Sequence, residues 1–166
     1  MTTAARSRSA VVTLPSDTQI QIVREFAAPR HLVFKAWTTP ELVKRWWHAK
    51  RSEVKIAEID LRVGGKWRYV SITDRGFEVG FHGVYREIVP DERLVYTEVY
   101  EGAPGGSDDD GTVNTATFHE ASGITTLTIL TQTPNKLVRD IIIESGMEGG
   151  MQVAFDLLEQ VAMSLR

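Results

Sequence analysis

The sequence predicts an α+β fold: a curved antiparallel sheet of about six or seven strands wrapped around a long C-terminal helix, with two short helices after the first strand. Three observations carry this. From about Ser52 to Thr133 apolar and polar residues alternate, the period of half-buried strands. From Asn135 to Arg166 apolar residues recur at steps of three and four, the period of a helix. Between Pro29 and Trp47 stand two short apolar faces with helix start signals.

The 166 residues suffice for one domain with a substantial core, read as 18–166 behind a flexible N-terminal arm, 1–17. A net charge of −3 offers no electrostatic footprint for nucleic acid. The chain has no cysteine, which excludes disulfides, thiolate nucleophiles and zinc–cysteine sites and fits a cytoplasmic location. No apolar run approaches the roughly 20 residues of a membrane span, so an integral membrane protein is not expected. Met1–Ala10 is polar and lacks the apolar centre of a secretory signal.

Each element has its own signals. Ile20 and Ile22 alternate with Gln19 and Gln21 in a strand spanning Thr18 to Phe26. Pro29 suits a first helical turn, and Leu32, Val33, Ala36 and Trp37 give that helix one apolar face. Thr39-Pro40-Glu41 places a hydroxyl at a cap, a proline just inside and an acid in the first turn of a second helix, which ends at Trp46-Trp47. Strands follow at Glu53–Ile59, Lys66–Thr73, Phe77–Ile88, Arg93–Tyr100, Val113–Glu120 and Ile124–Gln132. Turns such as Asp74-Arg75-Gly76 and Ser122-Gly123 separate them, and Gly102 to Gly111 reads as a mobile hairpin loop. Gly80 and Gly83 inside a strand predict a bend, a bulge or a close approach of another group. Thr133-Pro134 is the expected cap of the last helical segment. Gly146, Gly149 and Gly150 interrupt that segment; they either let the helix shift as a lid or let it pack closely on the sheet, and close packing is the favoured expectation.

Five stretches stand in an order found together in one family: Arg24-Glu25-Phe26-Ala27-Ala28-Pro29, Trp46-Trp47, Leu61-Arg62-Val63-Gly64-Gly65-Lys66-Trp67, Gly83-Val84-Tyr85-Arg86-Glu87-Ile88-Val89-Pro90, and Gly146-Met147-Glu148-Gly149-Gly150. From about Ile20 to its end the chain resembles proteins related to the C-terminal domain of the activator of the ninety-kilodalton heat-shock-protein ATPase, within the START-like, birch-pollen-allergen-like helix-grip superfamily. The resemblance implies the helix-grip fold and a cavity between sheet and C-terminal helix that holds an apolar or amphipathic small molecule. It departs at His48-Ala49, where many members carry glycine or proline soon after the tryptophan pair. Three functions are implied: a carrier of a lipid-like or aromatic ligand, an enzyme of cyclase or dehydratase type on a polyketide-like substrate, and a co-regulator of a chaperone ATPase. The last ranks lowest, because the eukaryotic activators carry a separate N-terminal docking domain for which 166 residues leave no room.

Trp67 and Tyr69 share one strand face, Phe81 and Tyr85 share another, and Tyr96 and Phe118 sit on later strands. These aromatic residues either line a cavity, or pack in an ordinary core or on the outer sheet face. Trp46-Trp47 either caps a pocket mouth or anchors the helical insert. Met147 and Met151 either soften a cavity wall or fill gaps. His82, His119, Tyr96, Glu98 and Arg62 are candidate polar groups for the cavity, against the alternative of surface strand positions. His31, His48, His82 and His119 show no metal-ligand spacing. Asp108-Asp109-Asp110-Gly111 fails as a calcium loop, since Gly106 and Thr117 fall where acids are required. With no nucleophile, phosphate-loop or dinucleotide motif, no catalytic residue, metal or cofactor is assigned. Val70, Ile72, Val95 and Val99 are a candidate apolar outer patch for a homodimer.

Overall fold

The structure, a computed structural model, describes residues 9–47, 52–101 and 111–166. The expected loops at His48-Ala49 and 102–110, and the start of the arm, lie outside the described residues. The elements run β1 (Val11–Thr13), β2 (Gln19–Phe26), α1 (Arg30–Thr38), α2 (Pro40–Trp46), β3 (Ser52–Ile59), β4 (Lys66–Thr73), β5 (Glu78–Val89) and β6 (Arg93–Tyr100). They continue with β7 (Thr112–Ala121), β8 (Ile124–Gln132), α3 (Lys136–Glu144) and α4 (Met147–Ser164). The strands form one sheet in the order β1-β2-β8-β7-β6-β5-β4-β3, with every pairing antiparallel. This is the helix-grip arrangement, with eight strands rather than six or seven.

The extra strand comes from the segment read as a flexible arm. Val11–Thr13 pairs with Gln21–Val23 along the edge of β2. Ala10 is buried, and Gln152 on α4 clamps its backbone, accepting from its N–H and donating to its carbonyl, both at 2.8 Å. A side-chain amide repeats the pairing of a β-ladder here and fastens the first strand to the last helix.

Along β2 the inward residues are Ile20, Ile22, Arg24 and Phe26. Arg24 is the unusual member, with a side chain 1% exposed. Its guanidinium lies 2.9 Å from Asp156 and 3.5 Å from Glu159 on α4, and 4.9 Å above the Phe26 ring. Glu159 also accepts the Ala27 N–H at 2.8 Å. Buried charge is tolerated only when paired and hydrogen-bonded, and this cluster fixes the C-terminal half of α4 over β2. Around it Phe26, Val33, Leu127, Leu158 and Val161 form a closed core.

Thr39 caps α2 by its backbone alone, with Pro40 in the first turn as expected. For α3 the cap is Asn135 rather than Thr133: its Oδ1 accepts from Val138 N at 2.9 Å. Thr133 is drawn away by the Thr18 carbonyl, to which its hydroxyl donates at 2.9 Å. The last helical segment is two helices broken at Gly146, whose φ of 81° is open to glycine and strained for other residues. The expectation of close packing fails for Gly149 and Gly150, since no atom lies within 4 Å of where a Cβ would stand. Alanine at position 149 would therefore gain helix propensity without a clash. Gly149→Ala is expected to raise stability by about 0.5–1 kcal/mol, read from the urea midpoint; a fall would show that this turn needs the glycine.

Bulges interrupt the ladders between Val54 and Ile56 and between Tyr85 and Glu87, where the strands bend. Val70 and Val99 are buried and Ile72 and Val95 half-buried, so the apolar outer patch expected for a dimer is not displayed.

Candidate functional site

Between the inner sheet face and the helices lies a cavity of about 410 Å³. Most of its wall is hydrocarbon or aromatic: Ile20 and Ile22 from β2, Ile129 from β8, Ile142 from α3, and Met147, Met151 and Phe155 from α4. Gly150, in the first turn of α4, lines the cavity and is also exposed.

Of the residues singled out from sequence, Trp46, Trp67, Tyr69, Phe81, Tyr85, Tyr96, Met147 and Met151 line this cavity, and so does Glu98. Trp46 is both wall and anchor: it is buried, donates from Nε1 to the Ala36 carbonyl at 3.0 Å, and stacks at 5.1 Å on Trp37. Trp47 leans on Tyr69 and Phe81 with ring centroids 5.3 and 5.4 Å apart. Trp67 lies across Gly83, where its Nε1 reaches the Thr97 carbonyl at 3.1 Å. The close approach expected at Gly83 is thus an indole ring together with the Thr97 backbone.

Four candidates fall elsewhere. Phe118 points inward but packs under α1, 5.5 Å from Phe34 and 6.2 Å from Trp37, and does not line the cavity. His82 follows Phe81 along β5 and so projects from the opposite face, where its Nδ1 lies 2.9 Å from Glu101. Arg68 binds the same carboxylate with two N–H groups at 2.9 and 2.8 Å. These hydrogen bonds, Arg68 foremost, hold the Glu101 carboxyl well below the ordinary range. His119 is exposed, as is Arg62, which pairs with Asp60 at 2.8 Å.

The cavity wall carries a polar row, built by strand register. Tyr85, Tyr96, Asn114 and Thr131 are successive cross-strand partners over β5, β6, β7 and β8. Thr131 donates its hydroxyl to Asn114 Oδ1 at 2.5 Å, which turns the Asn114 amide nitrogen toward Glu98 Oε1 at 3.3 Å. Tyr69 and Tyr85 both line the chamber beside this row. Burial pushes the Glu98 carboxyl up from 4.5 to about 7, partly opposed by the Asn114 hydrogen bond, which favours the charged form. Burial likewise pushes the Tyr69, Tyr85 and Tyr96 phenols upward, so they stay protonated at neutral pH. Near pH 7 Glu98 is present in both forms and can accept or donate a proton inside an aromatic chamber. Among the described residues no group of three or more histidines, cysteines or acids is placed to hold a metal ion.

Sequence reasoning missed Asn114, Thr131 and Trp37, all on the cavity wall. The signal for Asn114 was present: it lies an even number of residues before Phe118, hence on the same inward face.

A curved antiparallel sheet closed over a cavity by a C-terminal helix defines a START-like, helix-grip domain. The chain belongs to the Activator of Hsp90 ATPase homolog 1-like protein family, whose profile matches residues 27–163. Among solved structures, one from Rhodobacter sphaeroides is similar at 23% identity, with a TM-score of 0.84 over 95% of this chain and 100% of that one. A Nitrosomonas europaea protein matches at 23% identity and a TM-score of 0.79, over 91% of this chain and 97% of its own. A Chromobacterium violaceum protein matches at 26% identity and a TM-score of 0.75, over 89% and 98%. No curated protein matches the sequence.

Proposed function

We propose that the protein holds one apolar or amphipathic small molecule, lipid-like or aromatic, in the cavity between sheet and α4. The observation that carries this is a chamber of about 410 Å³ with a largely apolar wall and a hydrogen-bonded polar cluster at Glu98, Asn114 and Thr131. Ligand sites combine these features: apolar wall for affinity, a few placed polar groups for orientation, and a volume of roughly 300–1,000 Å³. Native mass spectrometry of the chain purified from its own host, followed by organic extraction, tests the reading. One small organic molecule per chain is expected. A clean unliganded mass that persists after challenge with fatty acids and aromatic amphiphiles would overturn it.

A second reading, an enzyme of cyclase or dehydratase type, is favoured by Glu98. A carboxyl that titrates near 7 beside the inward Tyr96 suits proton transfer on a folded, reactive chain. Turnover of the extracted compound by the native chain, lost in Glu98→Gln, would move the assignment to an enzyme.

A further inference from the structure

We infer that the cavity's occupant carries one positively charged nitrogen, seated against Glu98 at the aromatic end of the chamber. The inference rests on the reading of the cavity as a ligand site and names the chemistry that site selects.

Charge is the first ground. Among the described residues that line the cavity, Glu98 is the one carboxylate, and no lysine, arginine or histidine accompanies it. Elsewhere in this fold charges held out of water are paired, as Arg24 is with Asp156 and Glu159 and Glu101 is with Arg68. Glu98 receives one neutral donor, the Asn114 amide. A half-buried carboxylate supported by a single amide is costly, and a cationic ligand supplies the missing charge. An anionic ligand would meet the same carboxylate as repulsion.

The surroundings are the second ground. Trp67 packs at 4.8 Å on Tyr69 and at 5.8 Å on Tyr96, and all three rings line the chamber that Glu98 faces. Aromatic faces attract a desolvated cation, and indole does so most strongly. Tyr69, Tyr85 and Tyr96 face this end from β4, β5 and β6 as neutral phenols. From α3 and α4 the wall brings Ile142, Met147 and Met151, without charge. The geometry therefore sorts a ligand end from end: an ammonium among carboxylate and rings, an apolar body toward the helices.

Three probes of one shape test the inference: phenylbutylamine, phenylbutanol and phenylbutyrate, titrated calorimetrically into the full chain. At pH 8 the amine is expected to bind at least about tenfold more tightly than the alcohol, with the acid weakest. Below pH 7 a proton competes with the amine for Glu98, so the amine's advantage should shrink toward pH 5 while the alcohol's affinity stays level. In Glu98→Gln the ratio of amine to alcohol affinity is expected to fall to about one. Equal binding of amine and alcohol at pH 8, or an amine advantage that survives in Glu98→Gln, overturns the inference and leaves the carrier reading standing. Failure of all three to bind at millimolar concentration removes both.

Discussion

Placing a methyl group on Gly83 is expected to destabilise the fold by at least about 4 kcal/mol, a fall of about 8–16 °C in Tm for a domain of this size. A Cβ there would stand 1.8 Å from the Thr97 carbonyl oxygen and 2.6 Å from Trp67 Nε1. The first neighbour is backbone of the adjacent strand and cannot rotate away. β5 and β6 would have to part, and the Trp67 indole that spans them would lose its acceptor. Trp67→Phe separates these contributions, since it deletes the hydrogen bond and keeps a ring, at a cost of about 1–2 kcal/mol. A Gly83→Ala protein that melts within about 3 °C of the parent would show that the strands can yield at this point.

Glu98→Gln is expected to stabilise the protein at pH 8 and to leave it nearly unchanged at pH 4. The sign follows from the carboxyl's rise from 4.5 in the open chain to about 7 in the fold. Between these values the folded chain keeps a proton that the unfolded chain has released, so stability falls as pH rises through the window. Above 7 the whole cost of burying the charge is present. A difference of this size corresponds to about 3 kcal/mol, and water admitted by the cavity screens part of it, so about 2 kcal/mol is expected. Glutamine retains an oxygen to accept from Asn114. Paired urea titrations of parent and variant at pH 4 and pH 8 measure the effect. A variant less stable than its parent at pH 8 would mean that Glu98 is held as a comfortable anion.

Strand periodicity placed most of the sheet within a residue or two, because half-buried strands alternate and their turns are marked by Gly, Asp and Pro. The same alternation contained information about the site that residue type obscured. Phe81 and Tyr85 are inward, so His82 between them is outward; Phe118 is inward, so His119 beside it is outward. Selecting histidines for their chemistry overrode that parity. Phe118 failed for another reason: inward-facing is a property of the strand, whereas cavity or core depends on what lies above. α1 descends onto that end of β7 and fills it. β1 was hidden because an edge strand of three residues is too short to show a period, and its partner on α4, Gln152, carries no sequence signal for backbone pairing. The polar row was hidden because Tyr85, Tyr96, Asn114 and Thr131 come together only through register across four strands.

The place of β2 in the strand order bears on how the protein comes into being. Gln19–Phe26 lies against Thr125–Gln132, so the first long strand pairs with the last. During synthesis β2 leaves the ribosome early with only the three residues of β1 to pair with, and its other edge waits until nearly the whole chain has emerged. Ile20, Ile22, Ile129 and Thr131 all belong to this late seam, and Arg24 meets its acidic partners only when α4 arrives. The seam that closes last therefore carries one wall of the chamber. The chamber is thus complete only when the last strand and α4 are in place.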